Sequence, residues 1–304
     1  MAFDVKTRYA DAAVEQQRLA VIERLAGINH EYLKLTEKRV EKGDAAPLEA
    51  DILRVEIGRE EAQRALTAGR LRSALLNLRA ALDIPRTDSL TIESSLIAPS
   101  LADDLERLRA LAVRNRSDLA SLRIAEEQSE AQTTLASLET KPNVTLSGLY
   151  SHVDSAFEEY GVKAAGALTP IRDHVNSIGL SISIPLTTTR RNRGNIEAAV
   201  ARQTAAKMRR EYLESAIPTQ VDEAYEKWRA ATEAAAVMSS GVVQQSEKNL
   251  EVMRQAYNLG ELRLIDVLNE QRKLLDTELS YIDTQADVFR AVAELEQAVG
   301  GSLR

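Results

Sequence analysis

The stretch Ser177-Ile178-Gly179-Leu180-Ser181-Ile182-Ser183-Ile184 decides how this chain is read. Apolar residues fall at every second position, with small or polar residues between them, and a period of two marks a strand with one apolar face. Ile178, Leu180, Ile182 and Ile184 form that face; Ser177, Gly179, Ser181 and Ser183 form the other. An earlier run from Asn143 through Val144, Thr145, Leu146, Ser147, Gly148, Leu149 and Tyr150 to Ser151 reads as the partner strand, giving a hairpin over 143–184. Between the two runs lies a segment of about 25 residues, long enough to expect either a function or no fixed structure.

Everything on either side of the hairpin has a helical pattern. Apolar positions at helical spacing run through 3–42 (Val14, Ile22, Leu25 and Tyr32 among them), resume after Pro47 to Leu82, and return over 101–139 before Pro142. Residues 86–100 are irregular and rich in Thr, Ser and Pro. After Pro185 a helical pattern reaches Leu259, with Pro218 its expected interruption; Gly260 marks a turn, and a last helix runs to Val299. A helix of that length, at about 1.5 Å per residue, measures on the order of 100 Å. No compact globule of this size needs such a rod; a tube, a stalk or a coiled coil does.

Composition agrees. The 304 residues are 44% hydrophobic, 28% charged and only 4% aromatic, a balance for long helices packed through small side chains. The net charge of −7 is spread over interspersed signs, which offers no basic face for nucleic acid. Cysteine is absent, which excludes disulfides and thiolate metal sites. No run approaches the roughly 18 apolar residues of a membrane-spanning helix. The opening residues Met1-Ala2-Phe3-Asp4-Val5-Lys6 lack the apolar core of a signal peptide. No nucleophile constellation, phosphate loop or dinucleotide fingerprint occurs, so no enzyme and no cofactor is expected.

Shifting the sequence by 217 positions aligns two halves: Gly43 falls on Gly260, Leu48 on Ile265, Glu49 on Asp266, Leu78 on Leu295 and Leu82 on Val299. One gap is needed to place Val5 on Val221 and Tyr9 on Tyr225. Each unit is a helix, a glycine turn and a second helix. The expected organisation is therefore a first-repeat helical pair with its connector over 1–100, then a second repeat over 101–304. That second repeat holds a helix, the hairpin, a long helix, a tip and a last helix. The first repeat has no counterpart of 101–216, so about 115 residues and a signal are expected to precede it in the whole protein by the repeat arithmetic.

Five stretches, in this order and spacing, resemble the TolC-like outer-membrane efflux proteins. Leu111-Ala-Val-Arg-Asn-Arg-Ser-Asp-Leu119 is similar to that family's "RPDL" helix start, with Ser117 in place of proline. Pro142 to Gly148 is similar to its first strand, and Ile182-Ser-Ile-Pro-Leu186 to the end of its second. Tyr257-Asn-Leu-Gly260 and Ile265-Asp-Val-Leu-Asn269 resemble its periplasmic tip. Arg191-Asn-Arg-Gly-Asn-Ile-Glu-Ala198 resembles the heavy-metal cation branch. The resemblance implies a mainly α protomer, with long antiparallel coiled-coil helices of an α-barrel and one β-hairpin contributing to an outer-membrane β-barrel.

It also implies a function and its residues. The chain would be the passive outer-membrane channel component of a tripartite efflux or secretion system, exporting small molecules or cations. It would trimerise in the complete protein, extend from the outer membrane into the periplasm, and meet a periplasmic adaptor and an inner-membrane pump. Asp266, its repeat mate Glu49 and Tyr257 would form the gate, where family members often have a second acid at the position of Asn269. Gly43 and Gly260 would mark the adaptor-docking tips; Ile178, Leu180, Ile182 and Ile184 would face lipid. The plainer readings are first-turn acids suited to a helix dipole, a tyrosine in the packing stripe, helix-ending glycines, and a hairpin half-buried on a soluble coiled-coil scaffold. His152 and His174, with Asp154, Glu158, Glu159 and Asp173, read as solvated loop residues and not as a metal site, because no rigid element sets their spacing.

Overall fold

The structure, a computed structural model, describes residues 2–85, 87–96, 104–139, 144–184 and 189–303. The expected strand start at Asn143 and the bounding Pro142 and Pro185 lie outside them, as do the side chains of Arg191 and Asn192. The described residues form α1 (Ala2–Glu41), α2 (Pro47–Ala81), α3 (Leu105–Asn115), α4 (Ser117–Leu138), β1 (Thr145–Val162), β2 (Leu168–Ser183), α5 (Thr189–Val237), a π-turn (Met238–Val242), α6 (Val243–Asn258) and α7 (Leu264–Val299). They fall into two compact units, one of residues Met1–Ala120 and Leu213–Arg304, the other of Ser121–Tyr212. Among the described residues no helix is long and apolar enough to cross a membrane.

In the first unit α1 packs against α2 and α7, and α7 also receives α3 and α6. The α1–α7 seam is lined by fully buried Ala10, Ala13 and Ala286, with Val14 and Ile282 beside them. Small side chains let the two backbones approach. Ion pairs flank the seam in antiparallel order: Lys6 with Glu296, Asp11 with Arg290, Arg18 with Asp283 and Arg24 with Glu278. As one number climbs the other falls, so the charges fix the register of the pair. A second cluster gathers Leu108, Ala112 and Leu119 around Ile217, Val221, Trp228, Val292 and Leu295.

The two repeats close their turns with the same hydrogen bonds. Gly43 lies at φ +81° and Gly260 at φ +78°. Gly43 N–H donates to Val40 O at 3.0 Å and Asp44 N–H to Arg39 O at 2.8 Å. In the second repeat Gly260 N–H donates to Tyr257 O at 3.0 Å and Glu261 N–H to Ala256 O at 2.9 Å. This is a left-handed cap that glycine adopts at little steric cost. The far ends match too. Asp83, at φ +54°, donates its N–H to Ala80 O, while Gly300, at φ +80°, donates to Gln297 O.

Three expectations need correction. The helix over 101–139 is two helices, broken at Arg116, whose ψ of 121° is extended. The break falls where Ser117 opens α4 and where Gly300 closes α7 against Arg116: a Cβ on Gly300 would lie 2.9 Å from the Arg116 Cα. Pro218 does not interrupt its helix, since α5 runs through it. A proline in a helix interior costs about 3 kcal/mol, but Ile217 and Val221 beside it are fully buried, and their burial offsets that cost. The interruption falls instead at Met238–Val242, where Ser239 and Ser240 donate their hydroxyls to Ala236 O. In α1 the equivalent stretch is unbroken helix. The single gap in the repeat alignment falls between Tyr225 and Gly260, in the interval that holds the π-turn.

The third correction concerns the segment between the strand signals. No loop of 25 residues exists there: β1 pairs with β2 in antiparallel register from Thr145↔Ser183 to Val162↔Leu168, leaving a turn at 163–167. Gly166 at φ +77° donates to Lys163 O at 2.8 Å within that turn. The register shifts between Ala156 and Tyr160, opposite Pro170, which has no N–H for a ladder bond. Also in this second unit, Arg210 of α5 donates to Glu126 of α4 at 2.7 Å.

The paired caps give a test. Gly300→Ala combines a strained φ with a backbone clash at Arg116 and should lower stability by about 1–3 kcal/mol. Asp83→Gly relaxes the matching position and should be neutral or stabilising by up to about 1 kcal/mol. Thermal unfolding of the two variants beside the parent measures both; equal shifts of the same sign would contradict the account.

Candidate functional site

The two tips lie together in the first unit. Tyr257, at the end of α6, is buried and donates its hydroxyl to Glu49 Oε2 of α2 at 3.0 Å. The Arg39 guanidinium of α1 stands 5.6 Å from the centre of its ring. Beneath it Leu53, Leu250, Leu264, Val267, Leu268 and Leu274 form one cluster drawn from α2, α6 and α7. Burial, and then the neighbouring Glu49 carboxylate, raise the Tyr257 hydroxyl above its ordinary pKa, so it remains a donor. One side chain thus ties the second tip to the first.

Asp266 is placed differently from its repeat mate. It caps its own helix, accepting from the Arg263 backbone N–H at 3.3 Å and pairing with the Arg263 guanidinium at 3.3 Å. Arg263 is largely exposed and brings a positive charge to the expected acidic position. Sequence reasoning missed this residue, although its place three before Asp266 is the capping-box spacing. Asn269 is exposed and accepts from Arg272 at 3.4 Å. The structure therefore joins Glu49 to Tyr257 and leaves Asp266 with Arg263. Gly43 and Gly260 are exposed at the turns, with Leu48 and Leu259 standing apolar and exposed beside them.

Behind the tip is a polar cluster that no sequence motif announced. Arg272 of α7 reaches Glu56 of α2 through two bonds, of 2.9 and 2.5 Å. These bonds hold the Glu56 carboxyl below its usual pKa. One turn away Glu60, buried, accepts from the buried Asn29 Nδ2 at 2.7 Å. Burial, with the repulsion of Glu56 added, pushes the Glu60 carboxyl up to about 7, against the pull of Asn29 and Arg272.

The hairpin in the second unit presents two faces. Leu146 lies opposite Ile182, Gly148 opposite Leu180 and Tyr150 opposite Ile178 on one face. On the other, Ser147 meets Ser181 with hydroxyls 2.7 Å apart, and Leu149 faces Gly179. Ile178, Leu180, Ile182 and Ile184 are all exposed, Ile178 to 85%. Among the described residues, His152, Asp154 and His174 bring their ligand atoms together on this hairpin, while Glu158, Glu159 and Asp173 do not join them.

The sequence pattern of the outer membrane efflux proteins matches residues 108–301. No curated protein matches the chain. Solved structures match in fold. The outer membrane protein VceC from Vibrio cholerae is 19% identical, with a TM-score of 0.73 over 99% of this chain and 70% of that one. The open-state MtrE outer membrane channel of Neisseria gonorrhoeae is 19% identical, with a TM-score of 0.74 over 99% of this chain and 66% of that one. The CmeC outer membrane channel of Campylobacter jejuni is 13% identical, with a TM-score of 0.73 over 98% of this chain and 62% of that one. The chain spans about two thirds of the length of these neighbours.

The polar cluster makes stability depend on pH with a definite sign. Glu60 is held neutral by the fold, so folding binds a proton between the ordinary carboxyl value of 4.5 and about 7. Its contribution is whole below that window and is lost as pH rises through it. Glu60→Gln should remove the loss, leaving the variant as stable as the parent near pH 4.5 and more stable at pH 8. Melting temperatures at the two values check this; a parent–variant difference that does not grow with pH refutes it.

Proposed function

This chain belongs to the outer membrane efflux protein family, a family of channels and not enzymes, and we propose that it lines a passive conduit through the outer membrane. In the whole protein three copies close the tube. The strands of β1 and β2 enter the lipid, and the helical pairs reach into the periplasm. The observation that carries this reading is the hairpin. Its exposed apolar face of Ile178, Leu180, Ile182 and Ile184 has no cover within the described chain, and the opposite face of that strand, at Ser177, Gly179, Ser181 and Ser183, is small and polar. Alternation of that kind suits a barrel wall with lipid outside and water within.

The tips are the moving part of the proposal. The turns at Gly43 and Gly260, with exposed Leu48 and Leu259, form the surface that a periplasmic adaptor grips, in a tripartite system powered by an inner-membrane pump. Glu49, Asp266 and Tyr257 narrow the lumen there. The Tyr257–Glu49 bond links the two repeats across the tip, and carboxylates gathered by symmetry favour cations. The cargo is small molecules or cations.

Two experiments test this in the full-length protein. Leu180→Arg places a charge on the lipid face at a cost of about 2–4 kcal/mol near the midplane, while Ser181→Arg points into the lumen. Outer-membrane fractionation should show the first failing to insert and the second inserting; equal insertion of both would favour a soluble scaffold. For the gate, single-channel conductance in planar bilayers is measured with and without millimolar divalent cation. Asp266→Ala and Glu49→Ala together should relieve divalent block more than either alone. Unchanged block in the double variant would reduce these acids to helix-start residues.

A further inference from the structure

We propose that His152, Asp154 and His174 form a binding site for a divalent transition-metal cation of the zinc or nickel class, which clamps the two strands of the hairpin together. The proposal stands on the hairpin alone and not on the conduit reading. His152 and Asp154 are two apart on β1 and therefore share a face. Asp154 is in register with His174 on β2, and His152 with Asn176. The ligand atoms of the three residues all lie within 4.8 Å of one another. His152 Nε2 is 3.3 Å from Asp154 Oδ1, and His174 Nδ1 meets the same oxygen. A cation with bonds of about 2.1 Å holds neighbouring ligand atoms roughly 3.0–3.4 Å apart; His152 Nε2 and Asp154 Oδ1 already have that spacing, and side-chain rotation would bring His174 Nδ1 to it without rebuilding the strands.

A second observation points the same way. His152 Nδ1 lies 2.5 Å from Asn176 Oδ1, which also accepts from the Tyr150 hydroxyl at 3.0 Å. An oxygen acceptor at Nδ1 keeps the proton there and leaves the Nε2 lone pair aimed at Asp154. Outer bonds of this kind are how proteins fix the tautomer of a metal-bound histidine. A positive charge between Nε2 and the carboxylate, whether a proton or a metal cation, stabilises that approach. The two imidazole rings are near parallel, 6° apart with centres at 6.4 Å, and His152 Nε2 and His174 Nδ1 both lie against Asp154 Oδ1. Two imidazoles and one carboxylate suit zinc, nickel, cobalt or copper; magnesium and calcium take oxygen ligands. The ligands are exposed, so water completes the shell.

The position gives the cation work to do. The site follows directly after the Tyr150–Ile178 pair on the same face and precedes the register shift at Ala156. A bound ion would tie β1 to β2 just before the ladder becomes irregular, where the Tyr150–Ile178 side of the hairpin turns polar.

The chain has three histidines, and the third, His30, lies on α1 near Glu61. That makes the test clean. The purified full chain, stripped with chelator, is titrated calorimetrically with zinc, nickel and magnesium chloride, and cobalt absorption reports the ligand set. One zinc or nickel ion per chain is expected, with no comparable binding of magnesium. His152→Ala, His174→Ala and Asp154→Asn should each weaken binding at least about tenfold, and His30→Ala should not change it. Asn176→Ala keeps every ligand and should weaken binding by about tenfold through the lost orientation of His152. Amide exchange over residues 150–176 should slow with zinc in the parent and not in His174→Ala. Circular dichroism confirms that each variant is folded. Absence of binding in the parent at millimolar zinc, equal binding in parent and His174→Ala, or magnesium binding as tight as zinc would each overturn the proposal.

Discussion

The register of α1 against α7 is the constraint on which the first unit rests. Two helices of this length that meet through a few small side chains could pack at more than one offset. The charges remove that degeneracy. Glu278 and Glu296 have nearly buried side chains, and each finds its cation only when the helices are aligned as observed. A slip of one turn would leave buried carboxylates unpaired, at a cost of several kcal/mol each. The exposed partners contribute little by themselves. Their value lies in excluding the wrong alignments, and the tips inherit their positions from the alignment that remains.

The tips show what a repeat conserves and what it lets go. Backbone geometry is held closely: the left-handed glycine, the bonds around it and the extended residue before the next helix recur at Ala46 and Arg263. Side-chain chemistry has diverged. Glu49 accepts from a tyrosine of the other repeat, whereas Asp266 is turned back on its own helix start. Equivalent positions in the backbone thus hold acids with different partners, and a gate built from both would not be symmetric within one protomer.

Much of this was legible in the sequence, for identifiable reasons. The apolar half of the hairpin announced itself because one face must differ from the other. Its continuation past Ser151 did not, because His152, Asp154, Glu158, Asp173 and His174 are exposed and carry no alternation; there the backbone ladder alone makes the strand. The turn glycines were readable because a left-handed cap narrows the choice of residue. The continuity of α5 through Pro218 was not, since it depends on burial at Ile217 and Val221 that only the folded packing reveals. Glu60 and Asn29 were hidden for the same reason: polar residues at core-facing positions give no pattern, and only their contact makes them a pair.

The π-turn at Met238–Val242 bears on how such a helix tolerates change in length. One residue added to an α-helix rotates everything beyond it by about 100°, which would swing Tyr257 away from Glu49 and Arg39. A wide turn absorbs the addition locally, and the residues on both sides keep their facing. Seen this way, the second repeat carries one more residue than the first and stores it in a single bulge. Removal of one residue within 238–242 is then a rare kind of deletion in a long helix, one that restores regular winding while both flanks stay in phase with α7.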